Sequence, residues 1–162
     1  MTSAAKHPQP GEIAPDFTLP AGGGSLVRLS DFRSRSAVVL YFYPWDETPG
    51  CTVEACAFRD IFTELQEAGV EILGVSGNSA DRHRKFAARY RLPFPLLSDA
   101  GGKVRALYGV RRTWGLIPGR VTFIIDREGV VRFVFDSPFQ PREHIQETTG
   151  ALRRLGFLQP TG

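Results

Sequence analysis

The chain reads as an α/β domain built on a central mixed β-sheet with helices on both faces, and three observations predict it. Strand and helix patterns alternate through the middle of the sequence, which implies a sheet covered on its two faces. One strand candidate, Ala37 to Tyr43, is almost wholly apolar, as expected of a strand buried on both sides. Two further apolar runs flank Asp126-Arg127-Glu128-Gly129, a hairpin turn that adds antiparallel pairing. The 162 residues suffice for one domain with its own core, and 42% hydrophobic with 23% charged residues is ordinary globular composition.

Taken in order, Met1 to Glu12 has the Pro, Gly and His content of a loose tail; residues 1–10 are expected as a flexible tail and 11–162 as a single domain. Asp16 to Leu19 and Leu26 to Leu29, separated by Pro20-Ala21-Gly22-Gly23-Gly24, form an N-terminal β-hairpin extension. Ser30 and Asp31 cap a brief turn before the strand Ala37 to Tyr43. Thr48 then Pro49 mark a helix start, a hydroxyl at the N-cap followed by proline at the first helical position. That helix runs to Ala68 and stops at Gly69. Val70 to Val75 is a strand, Ser79 or Ala80 to Tyr90 a helix, and Leu92 to Leu97 a short extended piece. Lys103 to Tyr108 gives one or two helical turns. Val121 to Ile125 and Val130 to Phe135 form the second hairpin, and Arg142 to Leu155 closes the chain as a helix.

Composition excludes several functions. A formal net charge of +3, mixed along the chain, argues against nucleic acid as a partner. The basic stretch Asp81-Arg82-His83-Arg84-Lys85 reads as a solvated helix face. No apolar run approaches the roughly 18 residues of a membrane span, and the N-terminus carries no secretion signal. The protein is expected in the cytoplasm. Gly22-Gly23-Gly24 lacks the partners of a phosphate loop.

The chemistry concentrates in Pro44 to Cys56, which holds both cysteines of the chain. Cys51 falls in the first helical turn, where unpaired N–H groups and the helix dipole favour negative charge. A thiol there tends towards the reactive thiolate, with pKa values of about 3.5–7.5 at such sites. Arg120, just before the Val121 strand, is the best candidate for a supporting cation. Thr48 is placed to set its hydroxyl beside the sulfur or a bound oxygen, and Pro44 to limit water and stiffen the loop. Glu54 suits the first turn through the dipole. Cys56 lies five residues on, a rise of roughly 7.5 Å on an intact helix. The two Cα atoms would then be about 8–9 Å apart, beyond the roughly 7 Å limit of a disulfide. A bridge therefore needs the first helical turns to unwind. A cysteine that reacts first, giving a sulfenic acid, followed by attack from the second, fits this spacing.

Other readings stay open on the residues alone. Free buried cysteines act as small hydrophobes. Zinc needs more ligands than the scattered His7, His83 and His144 supply. A dithiol exchange enzyme would carry Cys-x-x-Cys. A redox sensor would share the reactive Cys51 without turning over.

Pro44-x-x-x-Thr48-x-x-Cys51 resembles the active-site signature of the peroxiredoxins. The longer run Tyr41 to Pro44, Thr48 to Thr52, Glu54 to Cys56 and Phe58 to Asp60 is similar to their bacterioferritin comigratory, or Q-type, branch. Ala14 to Leu19 and Gly119 to Asp126 match as well, so the likeness spans roughly residues 11–157. It implies a thioredoxin-like fold and a thiol peroxidase with Cys51 as peroxidatic and Cys56 as resolving residue. By the same resemblance Thr48 and Arg120 position the peroxide, Pro44 shields the sulfur, and Glu54 orients the arginine. It further implies hydrogen peroxide and organic hydroperoxides as substrates, thioredoxin or a similar dithiol as reductant, a monomer, and no metal, haem or flavin cofactor.

Overall fold

The structure is a computed structural model that describes residues 6–112, 115 and 117–159. Its five-stranded sheet is centred on β3 (Ala37–Phe42), where every residue is buried. The other strands are β4 (Val70–Ser76), β5 (Leu96–Ser98), β6 (Val121–Ile125) and β7 (Val131–Asp136), in the order β5-β4-β3-β6-β7. β3 pairs parallel with β4 and antiparallel with β6, so Val39 sits between Ile72 and Ile124. β1 (Thr18–Pro20) and β2 (Leu26–Arg28) form a separate two-stranded sheet, shorter than the expected hairpin. Its trimming has a local cause: Asp16 Oδ1 accepts from the backbone N–H of Phe17 and of Ser30, and Leu29 enters a 3-10 turn.

Period-2 alternation of β3 divides the core. Val38, Leu40 and Phe42 face Phe17, Tyr108 and Phe123, under the N-terminal hairpin and the short α3 (Lys103–Leu107). Ala37, Val39, Tyr41 and Tyr43 face the long helices α1 (Pro49–Glu67), α2 (Ala80–Tyr90) and α4 (Pro141–Arg154). Helices thus cover both faces, though unequally. The arrangement is the expected mixed α/β sheet, and it brings the C-terminal end of β3, the start of α1 and the start of β6 to one edge of the molecule.

Two sequence expectations need correction. The part of the tail from His7 onward is tied down: the His7 ring bonds the Tyr108 carbonyl at 3.0 Å and Asp136 at 2.9 Å, and Pro8 is buried. Residues 1–5 of that tail lie outside the described residues. The basic face of α2 is exposed at Arg82, Arg84 and Lys85, but His83 is fully buried. It is in helical phase with Phe86, and phase decides burial here over side-chain polarity.

Candidate active site

β3 delivers Tyr43 and Pro44 into a loop that ends at Thr48, the N-cap of α1. Thr48 Oγ1 accepts the Cys51 N–H at 3.3 Å, and its own hydroxyl proton goes to the Trp45 carbonyl at 3.3 Å. The hydroxyl expected beside the sulfur is thus engaged as the cap that fixes the first turn. Cys51 is buried in that turn with only 1% of its surface exposed. Pro44 is buried as well, and lines a cavity of about 300 Å³ with Trp45, Arg105, Arg112 and Pro118.

Arg120 is where the expectation placed it. Its Nη2 donates to Cys51 Sγ at 3.3 Å, and its Nη1 to Glu54 Oε1 at 2.5 Å. A third bond, from Nε to the Pro138 carbonyl, ties the guanidinium to the segment after β7. Two glycines border this contact. A Cβ on Gly50 would come within 3.3 Å of Arg120 Nη2, and one on Gly119 would collide with the Arg111 carbonyl oxygen. Gly119 is thus needed for the close Arg111 backbone, whereas at Gly50 a side chain would crowd the guanidinium by a few tenths of an ångström.

Glu54 is completely buried one turn below Cys51. Burial pushes its carboxyl up to about 7, against the opposing pull of Arg120. The guanidinium keeps its charge, because Glu54 and Cys51 together outweigh its own desolvation.

Sequence reasoning missed three groups here. His144 of α4 is fully buried, with Nε2 donating to the Ser137 carbonyl at 2.7 Å and Nδ1 at 2.8 Å from Thr122 Oγ1. Nδ1 also lies 3.6 Å from Glu54 Oε2. Burial lowers this imidazole to about 4, so it is neutral at ordinary pH. Arg105 of α3 donates to the Tyr43 carbonyl at 2.9 Å, and its charge interacts with Cys51. The third is Asp46, buried in the loop itself, which bonds His83 at 2.6 Å and the Tyr43 hydroxyl at 2.6 Å. The available signal was phase: His144 and Thr148 repeat at helical spacing with Leu152 along the buried face of α4.

Cys56 stands apart from this cluster. It is half-buried on the same intact helix and lines a separate cleft of about 440 Å³ with Val53, Asp60, Arg142 and Ile145. Both cysteines are free thiols. The site thus unites Cys51, Thr48, Glu54 and Arg120, leaves Cys56 on the next turn, and places Pro44 on the neighbouring cavity wall. Among the described residues no three His, Cys, Asp or Glu side chains gather as metal ligands. Chemically, a sulfur beside a fixed guanidinium at a helix N-terminus is a stabilised nucleophile.

Residues 10–134 match the family model described as the AhpC/TSA family. The "Peroxiredoxin Q, chloroplastic" of Triticum aestivum is 49% identical over 146 residues, covering 90% of this chain and 67% of that protein. The crystal structure of peroxidoxin BcpB from Mycobacterium tuberculosis superposes with a TM-score of 0.84 at 40% identity, over 92% of this chain and 99% of the other. A Xanthomonas campestris bacterioferritin comigratory protein, described for its alkyl peroxide reduction activity, superposes at 0.79 with 30% identity, over 86% and 91%.

Proposed function

The chain belongs to the AhpC/TSA family, beside the peroxiredoxin Q proteins, and is a thiol peroxidase; from that premise we propose that Cys51 is its peroxidatic sulfur and Cys56 its resolving one. The observation that carries this reading is the 3.3 Å contact from Arg120 Nη2 to Cys51 Sγ at the N-terminus of α1. Both the guanidinium and the helix end favour the thiolate.

In the proposed cycle the Cys51 thiolate attacks one oxygen of a hydroperoxide. The S–O bond forms as the O–O bond breaks, the sulfur is oxidised by two electrons, and the departing oxygen leaves as water or alcohol after taking up a proton. Arg120 and the first-turn N–H groups stabilise the charge that moves onto the oxygens. Thr48 acts by capping the turn that holds Cys51, Glu54 by fixing Arg120, and Pro44 by excluding water from one side. The first turns of α1 then unwind, the Cys56 sulfur attacks the sulfenic sulfur, a disulfide forms and water leaves. A dithiol such as thioredoxin reopens the disulfide by exchange.

Organic hydroperoxides join hydrogen peroxide as substrates in this reading, supported by the likeness to the Xanthomonas protein. Both cysteines lie on one helix, so a monomer suffices. A reducing cytoplasm suits such a cycle, and among the described residues no helix is long and apolar enough to cross a membrane. Peroxide consumption coupled to thioredoxin and its reductase tests the assignment. Cys51→Ser should abolish turnover, whereas Cys56→Ser should keep one fast oxidation and lose recycling. Turnover retained in Cys51→Ser would refute it.

A further inference from the structure

Arg105 carries donors that its surroundings do not use. Its Nη2 donates to the Tyr43 carbonyl at 2.9 Å, whereas its Nη1 is buried without a hydrogen-bond partner among the described residues. Burial disfavours the charge of this guanidinium, Asp99 favours it, and Arg112 opposes it as a like charge. The Asp99 carboxylate is committed elsewhere: Oδ1 accepts the N–H of Val104 and Oδ2 that of Arg105, so it bonds the backbone of α3 rather than the guanidinium. A buried donor left unpaired is destabilising, and in a native fold it calls for an acceptor.

Arg105, Arg112 and Asp99 line one cavity of about 300 Å³, which two guanidiniums against one carboxylate leave net cationic. Its apolar walls come from segments that frame the reactive sulfur. Pro44 and Trp45 belong to the loop between β3 and α1, and Pro118 lies two residues before Arg120. Arg105 joins the cavity to the site, because it bonds the carbonyl next to Pro44 and its charge interacts with Cys51. Apolar lining with a few placed polar groups is the make-up of a small-molecule site. At about 30 Å³ for each water-sized unit, the space takes about ten non-hydrogen atoms. Paired guanidiniums select a carboxylate, whose two oxygens match their planar N–H forks.

We propose that Arg105 and Arg112 determine specificity by binding the carboxylate of a compact acidic organic hydroperoxide, with its peroxide end directed towards Cys51. Pro44 and Trp45 cover the carbons between the two ends. The acid group takes no part in the chemistry: Cys51–S⁻ plus HOO–R–COO⁻ plus H⁺ gives Cys51–SOH plus HO–R–COO⁻. The S–O bond forms as the O–O bond breaks, the sulfur is oxidised by two electrons, and the proton goes to the departing alkoxide oxygen. The inference deepens the peroxidase reading and rests on Cys51 as the reacting sulfur.

The probes are 4-hydroperoxy-4-methylpentanoate and its methyl ester, which carries the same peroxide without the charge. Each is supplied to full-length protein with thioredoxin and its reductase, and kcat/KM for the acid is divided by kcat/KM for the ester. A general loss of activity cancels in this ratio. In the parent the acid should be favoured about tenfold or more, as charge-assisted hydrogen bonds allow, with the difference carried by KM. Arg112→Gln alters an exposed side chain and should lower the ratio about threefold. Arg105→Gln should lower it further, and the two together should bring it near one. A ratio near one in the parent, or one unmoved by Arg112→Gln and by Arg105→Gln, overturns the inference, while consumption of hydrogen peroxide leaves Cys51 in its role. A parent that consumes neither hydrogen peroxide nor either probe overturns both.

Discussion

Two buried histidine–carboxylate pairs flank the reactive loop, and they differ by an ångström. His83 Nδ1 sits 2.6 Å from Asp46 Oδ2, with Nε2 on the Leu97 carbonyl at 3.0 Å. Asp46 Oδ1 also accepts from the Tyr43 hydroxyl, and its backbone N–H donates to Asn78 Oδ1. Those bonds join the loop to α2 and to β5. His144 Nδ1 instead pairs with Thr122 Oγ1 at 2.8 Å and stops 3.6 Å from Glu54 Oε2, which has no hydrogen-bond partner among the described residues. The first pair is satisfied and acts as a lock. In the second the imidazole is bonded to Thr122 and Ser137 instead, and the oxygen without a partner among the described residues is Glu54 Oε2, on the carboxylate that holds Arg120. Both histidines have their two ring nitrogens bonded, but only the first spends one of them on its carboxylate.

Breaking the lock should cost the most. Asp46→Asn takes away the carboxylate that bonds both His83 and the Tyr43 hydroxyl in a buried site, and urea unfolding should lose about 2–3 kcal/mol. A loss no greater than that of His144→Phe would erase the contrast between the pairs. At the second pair, Arg120→Ala removes the group shared by Glu54 and Cys51. The second-order rate of Cys51 oxidation, followed by rapid mixing, should fall about 10²–10³-fold. Arg120→Lys should restore little of it, because one ammonium cannot serve both the sulfur and the carboxylate in a fork.

The pH dependence of stability sharpens the comparison further. His144 stays neutral in the fold down to about 4, whereas the ordinary value is 6.5. The unfolded chain therefore binds the extra proton first, and stability falls as pH drops through that window. Glu54 works in the opposite sense. The fold keeps its proton up to about 7 and the unfolded chain releases it near 4.5, so stability falls as pH rises through that range. In the parent the two slopes largely cancel where they overlap. Glu54→Gln should unmask the histidine slope, with up to about 3 kcal/mol lost on acidification. His144→Phe should unmask the reverse slope, and denaturant titrations across pH would read both. The smallest effect belongs to the cap: Thr48→Ala should cost about 1 kcal/mol of stability, while Thr48→Ser should keep most of it.

Much of this was legible because it is local. Thr48 and Pro49 announced the start of α1, the apolar run Ala37 to Tyr43 announced the central strand, and the glycine at 129 closed the second hairpin as expected. Cys51 at a helix start was readable for the same reason, and the peroxiredoxin signature carried Arg120 and Glu54. What escaped was long-range pairing. His7 reaches Asp136 across 129 positions and His83 reaches Asp46 across 37, and no periodicity encodes such choices of partner. Helical phase could have buried His83 and His144, yet it could not say which carboxylate each would meet, or at what distance. Thr48 was readable as the cap, whereas the acceptor of its own hydroxyl proton, the Trp45 carbonyl, was not.

The most direct test of the account follows the first oxygen atom. Reduced protein mixed briefly with one equivalent of hydrogen peroxide, quenched and analysed by peptide mass, should carry that oxygen on Cys51 in the Cys56→Ser variant and a Cys51–Cys56 disulfide in the parent. Oxygen arriving first on Cys56, or equally fast oxidation of a Cys51→Ser variant, would contradict it.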